Sequence, residues 1–200
     1  MNICNIKCSV KVFEPIDLEL LINNINRLMW QVRKYTSFLV VRSRSTSLRF
    51  IIFNRNKINN QTHVNITGVD SRPGISHSIE KLCALLNVDN TLIQWKIDNI
   101  SAISKHLVDI IGQNYLDLNE VKNHLSASFG SDYILKFNPE VFSALVIKSI
   151  DNTALLFSSG KIFVIRSKSE ENIRTIIDQV SKIACSVHTM TKYLMEEEVK

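Results

Sequence analysis

Residues 138–161 read NPEVFSALVIKSIDNTALLFSSGK, and the alternation in this stretch decides the fold. From Phe142 to Lys148 the odd positions, with Leu145 and Ile147, can pack beneath helices. Phe142, Ala144, Val146 and Lys148 share the opposite face. That is the period of two expected of a strand buried on one side. Thr153–Phe157 repeats the pattern, with Leu155 and Phe157 on one face. Gly160-Lys161 then makes a tight turn into a third strand, Ile162–Ile165. Phe142 and Phe157 stand 15 residues apart, as do Phe38 and Phe53 far upstream.

Working outward, residues 2–12 alternate, with Ile6, Cys8 and Val10 inward and Asn5, Lys7 and Ser9 outward. Residues 17–32 carry Leu18, Leu21, Ile22, Ile25, Leu28, Met29 and Val32 at the spacing of an amphipathic helix. Strands are expected at Ser37–Arg44, Leu48–Phe53 and His63–Val69, with a polar loop at residues 54–61. Pro73 and Gly74 open a helix that places Ile75, Ile79, Leu82 and Leu86 on one side. Trp95–Ile103 reads as a strand. Asp117–Ser126 reads as a helix, with Asp117 and Glu120 spaced as a capping box. A strand at Tyr133–Phe137 precedes the stretch quoted above. Ser167 and Glu170 again have capping-box spacing before a last helix bearing Ile173, Ile176, Ile177, Val180, Ile183, Ala184 and Val187. Met195–Lys200 reads as a frayed, charged tail.

The order strand, helix, strands, helix therefore occurs twice, and internal repetition of this kind dominates a fold. Ile3-Cys4-Asn5-Ile6 matches Ile97-Asp98-Asn99-Ile100. The offset between halves is 94 at the asparagines and 104 at the phenylalanines, a difference that loops absorb cheaply. The expectation is an α+β chain of two pseudo-symmetric repeats, at residues 1–90 and 91–195, followed by a short charged tail at 196–200.

One strand face does not suit a core. Phe38, Val40, Arg42 and Arg44 share it in one strand, Asn5, Lys7 and Ser9 in another, and Phe142 and Phe157 in the second half. Aromatic, amide and basic groups mixed on one surface mark a binding face. The floor of an A·T minor groove offers acceptors alone, which short amide donors satisfy. Phenylalanines can wedge between base steps and kink the duplex, and Arg and Lys neutralise phosphates.

Composition agrees and excludes other classes. The chain has 200 residues, 45% hydrophobic and 22% charged, with a formal net charge of +5. That balance supports a packed core and a mild attraction to polyanions. Cys4, Cys8, Cys83 and Cys185 form no CxxC pair, and Cys185 with His188 is a lone C-x-x-H, so buried reduced thiols are expected rather than a metal site or a disulfide frame. Histidines 63, 77, 106, 124 and 188 form no HExxH pattern, and five glycines build no phosphate loop. No enzyme motif, no cofactor site and no membrane-spanning run is read, and the N-terminus lacks the apolar core of a signal peptide.

These residues resemble the TATA-box-binding protein family. The second-repeat pattern P-x-x-F-x-x-[VL] … T-A-L-I-F-S-S-G-K … K-S-E-E is met by Pro139–Leu145, Thr153–Lys161 and Lys168–Glu171. The first repeat matches more loosely through Asn5-Ile6, Ile16-Asp17-Leu18, Phe53 and Thr67-Gly68, so the resemblance covers roughly residues 3–190. It implies a saddle whose curved antiparallel sheet faces DNA on its concave side and carries helices on its convex side. Asn5 and Asn99 resemble the central asparagines that read the groove floor. Phe142 and Phe157 resemble one kinking pair and Phe53 a member of the other, with Phe38, Tyr35 and Thr36 as competing mates. Thr67 resembles a groove-contacting threonine.

The DNA-contacting set that alternation and resemblance imply together is Asn5, Lys7, Phe38, Arg42, Arg44, Phe53, Thr67, Asn99, Ser101, Phe142, Lys148, Phe157, Phe163 and Arg166. Glu140 and Val141 fall where the family contacts a IIB-type general transcription factor, and the RNA polymerase initiation machinery is the implied further partner. Ile165-Arg166 stands where the family has Thr-Gly, Lys7 and Ser101 where small aliphatic residues are usual, and Asn138 where an acid precedes the proline. The loop after Phe53 is longer than the family's turn. Such divergence suggests a viral or unicellular-eukaryote source, with action in the nucleus or in a cytoplasmic viral factory. The second expectation is a protein-interaction scaffold of the same fold that has lost DNA binding.

Overall fold

A computed structural model describes residues 1–53, 60–104 and 115–198, with residues 188–198 as helix backbone alone. The polar loop after Phe53, His106, the His188 side chain, Val199 and Lys200 lie outside the described residues or side chains. The strands are β1 (Asn2–Val12), β2 (Trp30–Lys34), β3 (Phe38–Ser43), β4 (Arg49–Phe53), β5 (Thr62–Val69), β6 (Ile93–Ile103), β7 (Ile134–Asn138), β8 (Phe142–Lys148), β9 (Thr153–Phe157) and β10 (Ile162–Ser167). The helices are α1 (Leu18–Asn24), α2 (Arg72–Leu86), α3 (Leu118–Phe129) and α4 (Glu170–Glu198). The chain forms two compact units, Ile3–Ile100 and Ser101–Lys200 with Met1–Asn2.

In the first unit the strand order is β2-β3-β4-β5-β1, with the start of β6 beside β1. Neighbouring strands pair antiparallel: Val41 faces Phe50, Phe50 faces Ile66, and Cys8 faces Ile66 from the other side. The inward residues Ile6, Cys8, Leu39, Phe50, Ile52 and Ile66 are fully buried. They meet Ile75, Ile79, Leu82 and Leu86, the side of α2 that the spacing of its apolar residues predicts. Deleting one such large aliphatic group typically costs about 2–5 kcal/mol. Ser71 accepts from the Gly74 N–H at 3.3 Å and caps α2, with proline in its first turn.

The helix expected over residues 17–32 stops at Asn24, and residues 30–34 form β2 instead. Asp17 caps the helix by accepting from Glu19 and Leu20 N–H. The end is written in Asn23, Asn24 and Asn26, since amide side chains compete with helical backbone bonds. Ile25 is extended, and Asn26 Oδ1 accepts from the Leu28 N–H at 3.0 Å to close a turn. Leu28 and Met29, assigned to the apolar stripe, are exposed, while Trp30 turns inward with its ring 5.5 Å from that of Phe50. β2 then pairs with β3 from Trp30↔Ser43 to Lys34↔Leu39. Helical spacing and strand pairing competed for one segment, and burial of the tryptophan went to the strand.

In the second unit the order is β10-β9-β8-β7, and the end of β6 reaches β10 through the Ser104 N–H, which donates to the Ile162 carbonyl at 2.9 Å. Leu145, Ile147, Ala154, Leu156, Ile162 and Val164 point inward. They are covered by Leu118, Val121 and Leu125 of α3 and by Ile173, Ile176, Val180, Ala184 and Val187 of α4. Asp117 caps α3 as Asp17 caps α1, accepting from Asn119 and Glu120 N–H. The cap of α4 is Ser169, whose hydroxyl accepts from the Asn172 N–H at 3.1 Å. Ser167, expected in that role, donates instead to the Ser169 carbonyl. The expected frayed tail is helical as far as Glu198.

Gly68 and Arg166 occupy matching corners, at φ +82° and +65°. At Gly68 the Ser47 carbonyl oxygen would lie 2.0 Å from an added Cβ, so the position excludes any side chain. Arg166 carries its Cβ in the left-handed region, at a cost of about 1–2 kcal/mol for such a residue. Gly68→Ala is expected to destabilise the fold by at least about 2 kcal/mol, whereas Arg166→Gly changes stability by less than about 1 kcal/mol because relieved strain and added chain entropy oppose each other. Urea titration of the two variants reads both values.

Candidate nucleic-acid interface

Each unit has one strand face packed by helices and one left open. In the first unit the open face carries Asn5, Lys7 and Ser9 from β1, Phe38, Val40 and Arg42 from β3, and Phe53 from β4, as the alternation predicts. Thr67 lies on the same side of β5, opposite Arg49 of β4. Arg33, Arg49, Ile51 and Asn65 share that face and were not singled out from the sequence. Arg49, Ile51 and Asn65 were legible by counting in twos from Phe53 and Thr67, but Arg33 was hidden by the helical reading of β2.

Arg42 stands directly opposite Arg49 across β3 and β4. Like charges placed so are mutually destabilising, and among the described residues neither pairs with an acid. Arg44 shares the parity of Arg42, yet its Nε donates to the Arg27 carbonyl at 2.9 Å, which turns the guanidinium toward the α1–β2 turn. That bond takes Arg44 away from the group it was assigned to.

On the open faces, aromatic rings touch in one set in each unit. Phe38 is the register partner of Phe53, with ring centroids 5.9 Å apart, and Tyr35 stacks on Phe38 at 4.5 Å. In the second unit Phe142 and Phe157 meet edge to face at 6.3 Å, but the residue opposite Phe157 is Ala144, so this pair is diagonal. By register, then, the first-unit position equivalent to Phe142 is Thr36, beside the half-exposed Tyr35. Equal sequence spacing thus hides an offset of two in the pairing. Exposed aromatic surface of this size is costly to leave in water, and Phe142 is 44% exposed.

The remaining positions divide. In the second unit Phe163 faces Leu155 across β10 and β9, on the side of Phe157. Lys148 is exposed opposite Ile134, and Lys136, opposite Val146, adds a cation that sequence reading passed over. Arg166 is exposed at its left-handed corner. Glu140 and Val141 form the tip of the β7–β8 turn, closed by the Val141 N–H donating to the Asn138 carbonyl, and Val141 is 80% exposed. Ser101 is buried at 6% exposure and offers little surface.

Asn5 and Asn99 are both half-buried, but the Asn99 Oδ1 is itself buried and the adjacent Asp98 reaches the open side, so Asn99 does not share the placement of Asn5. The Asn5 Oδ1 accepts from the Gly68 N–H at 2.6 Å, which fixes the amide so that its NH2 remains a donor. Lys7 lies 3.7 Å from the carboxylate of Asp98, which also accepts from the Ser9 hydroxyl. Among the described residues no cluster of three His, Cys, Asp or Glu gathers to hold a metal.

Comparison with known proteins adds a likeness of sequence and fold. A family model described as transcription factor TFIID, or TATA-binding protein, matches residues 96–185. The TATA-box-binding protein of Methanothrix thermoacetophila is 26% identical over 190 residues, which is 92% of this chain and 96% of the relative. The solved structure of Methanococcus jannaschii TBP superposes with a TM-score of 0.65 at 23% identity, covering 90% of this chain and 98% of that one. Residues 96–185 thus match the TATA-binding-protein family model, and the chain as a whole is similar to TATA-box-binding proteins. As in the expectation from sequence, the TATA-box-binding protein fold is α+β, and the archaeal structure matches it over nearly its full length.

Cys8 gives an independent check on the packing of β1. Burial, reinforced by the negative charge of Asp98, pushes its thiol up to about 11 from an ordinary 9.0. The folded state therefore holds the proton more tightly than the unfolded one. The stabilising contribution is complete below pH 9, where both states are protonated, and is lost as pH rises toward 11. The difference in unfolding free energy between wild type and Cys8→Ala should accordingly shrink across pH 9–11. Maleimide labelling of the native protein at neutral pH should reach the exposed Cys4 and spare Cys8.

Proposed function

We propose that this chain binds A·T-rich promoter duplex through the minor groove, kinks it with its aromatic sets, and acts as a transcription initiation factor. The observation that carries the reading is the chemistry of the open faces. Each unit sets a touching pair of phenylalanines on the uncovered side of its strands, and in the first unit Arg42 and Arg49 stand nearby with no acidic partner among the described residues. Wedged aromatics unstack base steps at a cost of a few kcal/mol, offset by the protein surface that the bent duplex then covers. Arg42 and Arg49 repel each other in the free protein, and a phosphate between them turns repulsion into attraction. The Asn5 NH2, fixed by the Gly68 N–H, suits the acceptors of the groove floor. The names of the relatives, TATA-box-binding protein and TBP, support the same reading.

On this reading the β7–β8 turn, with Glu140 beside the protruding Val141, is the contact for a IIB-type factor, through which RNA polymerase is recruited. The Val141 side chain stands outside the core, and apolar surface held away from the core marks a docking point.

The test is fluorescence transfer between the ends of an A·T-rich duplex. Wild-type protein is expected to bring the ends together. The Phe142→Ala, Phe157→Ala double variant should bind at least about tenfold more weakly and bend less, consistent with about 1.4 kcal/mol or more of lost wedging. Straight DNA at saturating wild-type protein overturns the bending proposal, and failure to bind the duplex at all favours a scaffold that has lost DNA binding.

A further inference from the structure

Asp98 sits where a groove-reading surface has reason to avoid an acid. Its carboxylate accepts from the Ser9 hydroxyl, lies 3.7 Å from Lys7 Nζ, and has Lys96 Nζ 4.0 Å from its other oxygen. Ser9 and Lys7 alternate with the buried Ile6, Cys8 and Val10, so they belong to the open side of β1, beside Asn5. A carboxylate reached by both has its oxygens at that surface, and the side chain keeps 23% of its area exposed. The two lysines offset its charge, which makes an acid tolerable on a face that otherwise suits phosphates.

Chemistry then separates Asp98 from Asn5. Asn5 keeps a donor, because its oxygen is held by Gly68. An ionised carboxylate has acceptor capacity alone, with about four lone-pair sites, not all used by Ser9 and the lysines. The minor-groove edges of A·T and T·A carry acceptors only, and the one donor on that side of any base pair is the 2-amino group of guanine. An acid over an A·T pair meets like with like, whereas over a G·C pair it gains a charge-assisted hydrogen bond.

We infer that Asp98 is a specificity-determining residue that reads a guanine 2-amino group, so that the preferred site contains a G·C pair within an otherwise A·T-rich element. The inference rests on the minor-groove reading proposed above and narrows its substrate.

The experiment varies the 2-amino group alone. Starting from an A·T-rich duplex, each base pair of the central steps is replaced in turn by G·C, inosine·C, A·T or 2,6-diaminopurine·T, and affinity is measured by mobility shift at fixed salt. At one position wild-type protein should favour G·C over inosine·C, and diaminopurine·T over A·T, each by about tenfold, the scale of one hydrogen bond to a charged group. Asp98→Ala should lose both preferences while still binding the all-A·T duplex. Asp98→Asn keeps a neutral acceptor and the bond to Ser9, and should fall between. Wild-type indifference to the 2-amino group at every position overturns the inference even if Asp98→Ala fails to fold. So does a preference that survives in a folded Asp98→Ala. Binding to A·T-rich duplex without either effect leaves the minor-groove reading intact, whereas binding to no duplex removes both.

Discussion

One contact underlies the rest of the molecule: each unit presses its helices against a single side of its strands. Ile6, Leu39, Phe50, Ile52 and Ile66 meet α2 in the first unit, and Leu145, Ile147, Leu156 and Val164 are sealed beneath α3 and α4 in the second. Because alternation sends every second residue to the other side, the stability of the fold is carried by half of each strand. The remaining half is released from packing. That release is why Arg42 can face Arg49, and why Phe142 can stand 44% in water, without unfolding the chain.

The freed side is chemically uneven, and its unevenness is local. In the first unit three rings, Tyr35, Phe38 and Phe53, form one continuous cluster, stacked at one end and tilted at the other. In the second, Phe142 and Phe157 form an edge-to-face pair on a diagonal. The amide of Asn5 is locked by a backbone donor, while the acid of Asp98 is held by a hydroxyl and two ammonium groups. Each arrangement uses cross-strand neighbours to orient a polar or aromatic group before any partner arrives, which lowers the ordering cost of binding.

Much of this was legible in the sequence because the period of two is strong in β1, β3, β8 and β9. Leu145 and Ile147 against Phe142 and Lys148 needed no structure to assign, and the inward stripes of α2, α3 and α4 followed from spacing. The first unit's outer strand was not legible. Leu21, Ile25, Leu28, Met29 and Val32 satisfy helical spacing as written, and the deciding interaction, Trp30 against Phe50, joins residues from separate strands. Register was equally invisible. Phe38–Phe53 and Phe142–Phe157 have one spacing but two pairings, because the turns between their strands differ, Arg42–Arg49 closing one and Lys148–Thr153 the other. The fate of Arg44 and the surroundings of Asp98 likewise depend on residues distant in the chain, Arg27 for one and Lys7 and Ser9 for the other.

The corner at Gly68 has a consequence for how the two copies diverge. With the Ser47 oxygen 2.0 Å from where a Cβ would stand, the first copy accepts glycine alone at that corner. Its counterpart already tolerates arginine at φ +65°, so the surroundings of that corner have room for a long side chain. The two repeats thus make the same left-handed bend under different rules: a backbone clash dictates the residue at one corner, and the other carries a long basic side chain.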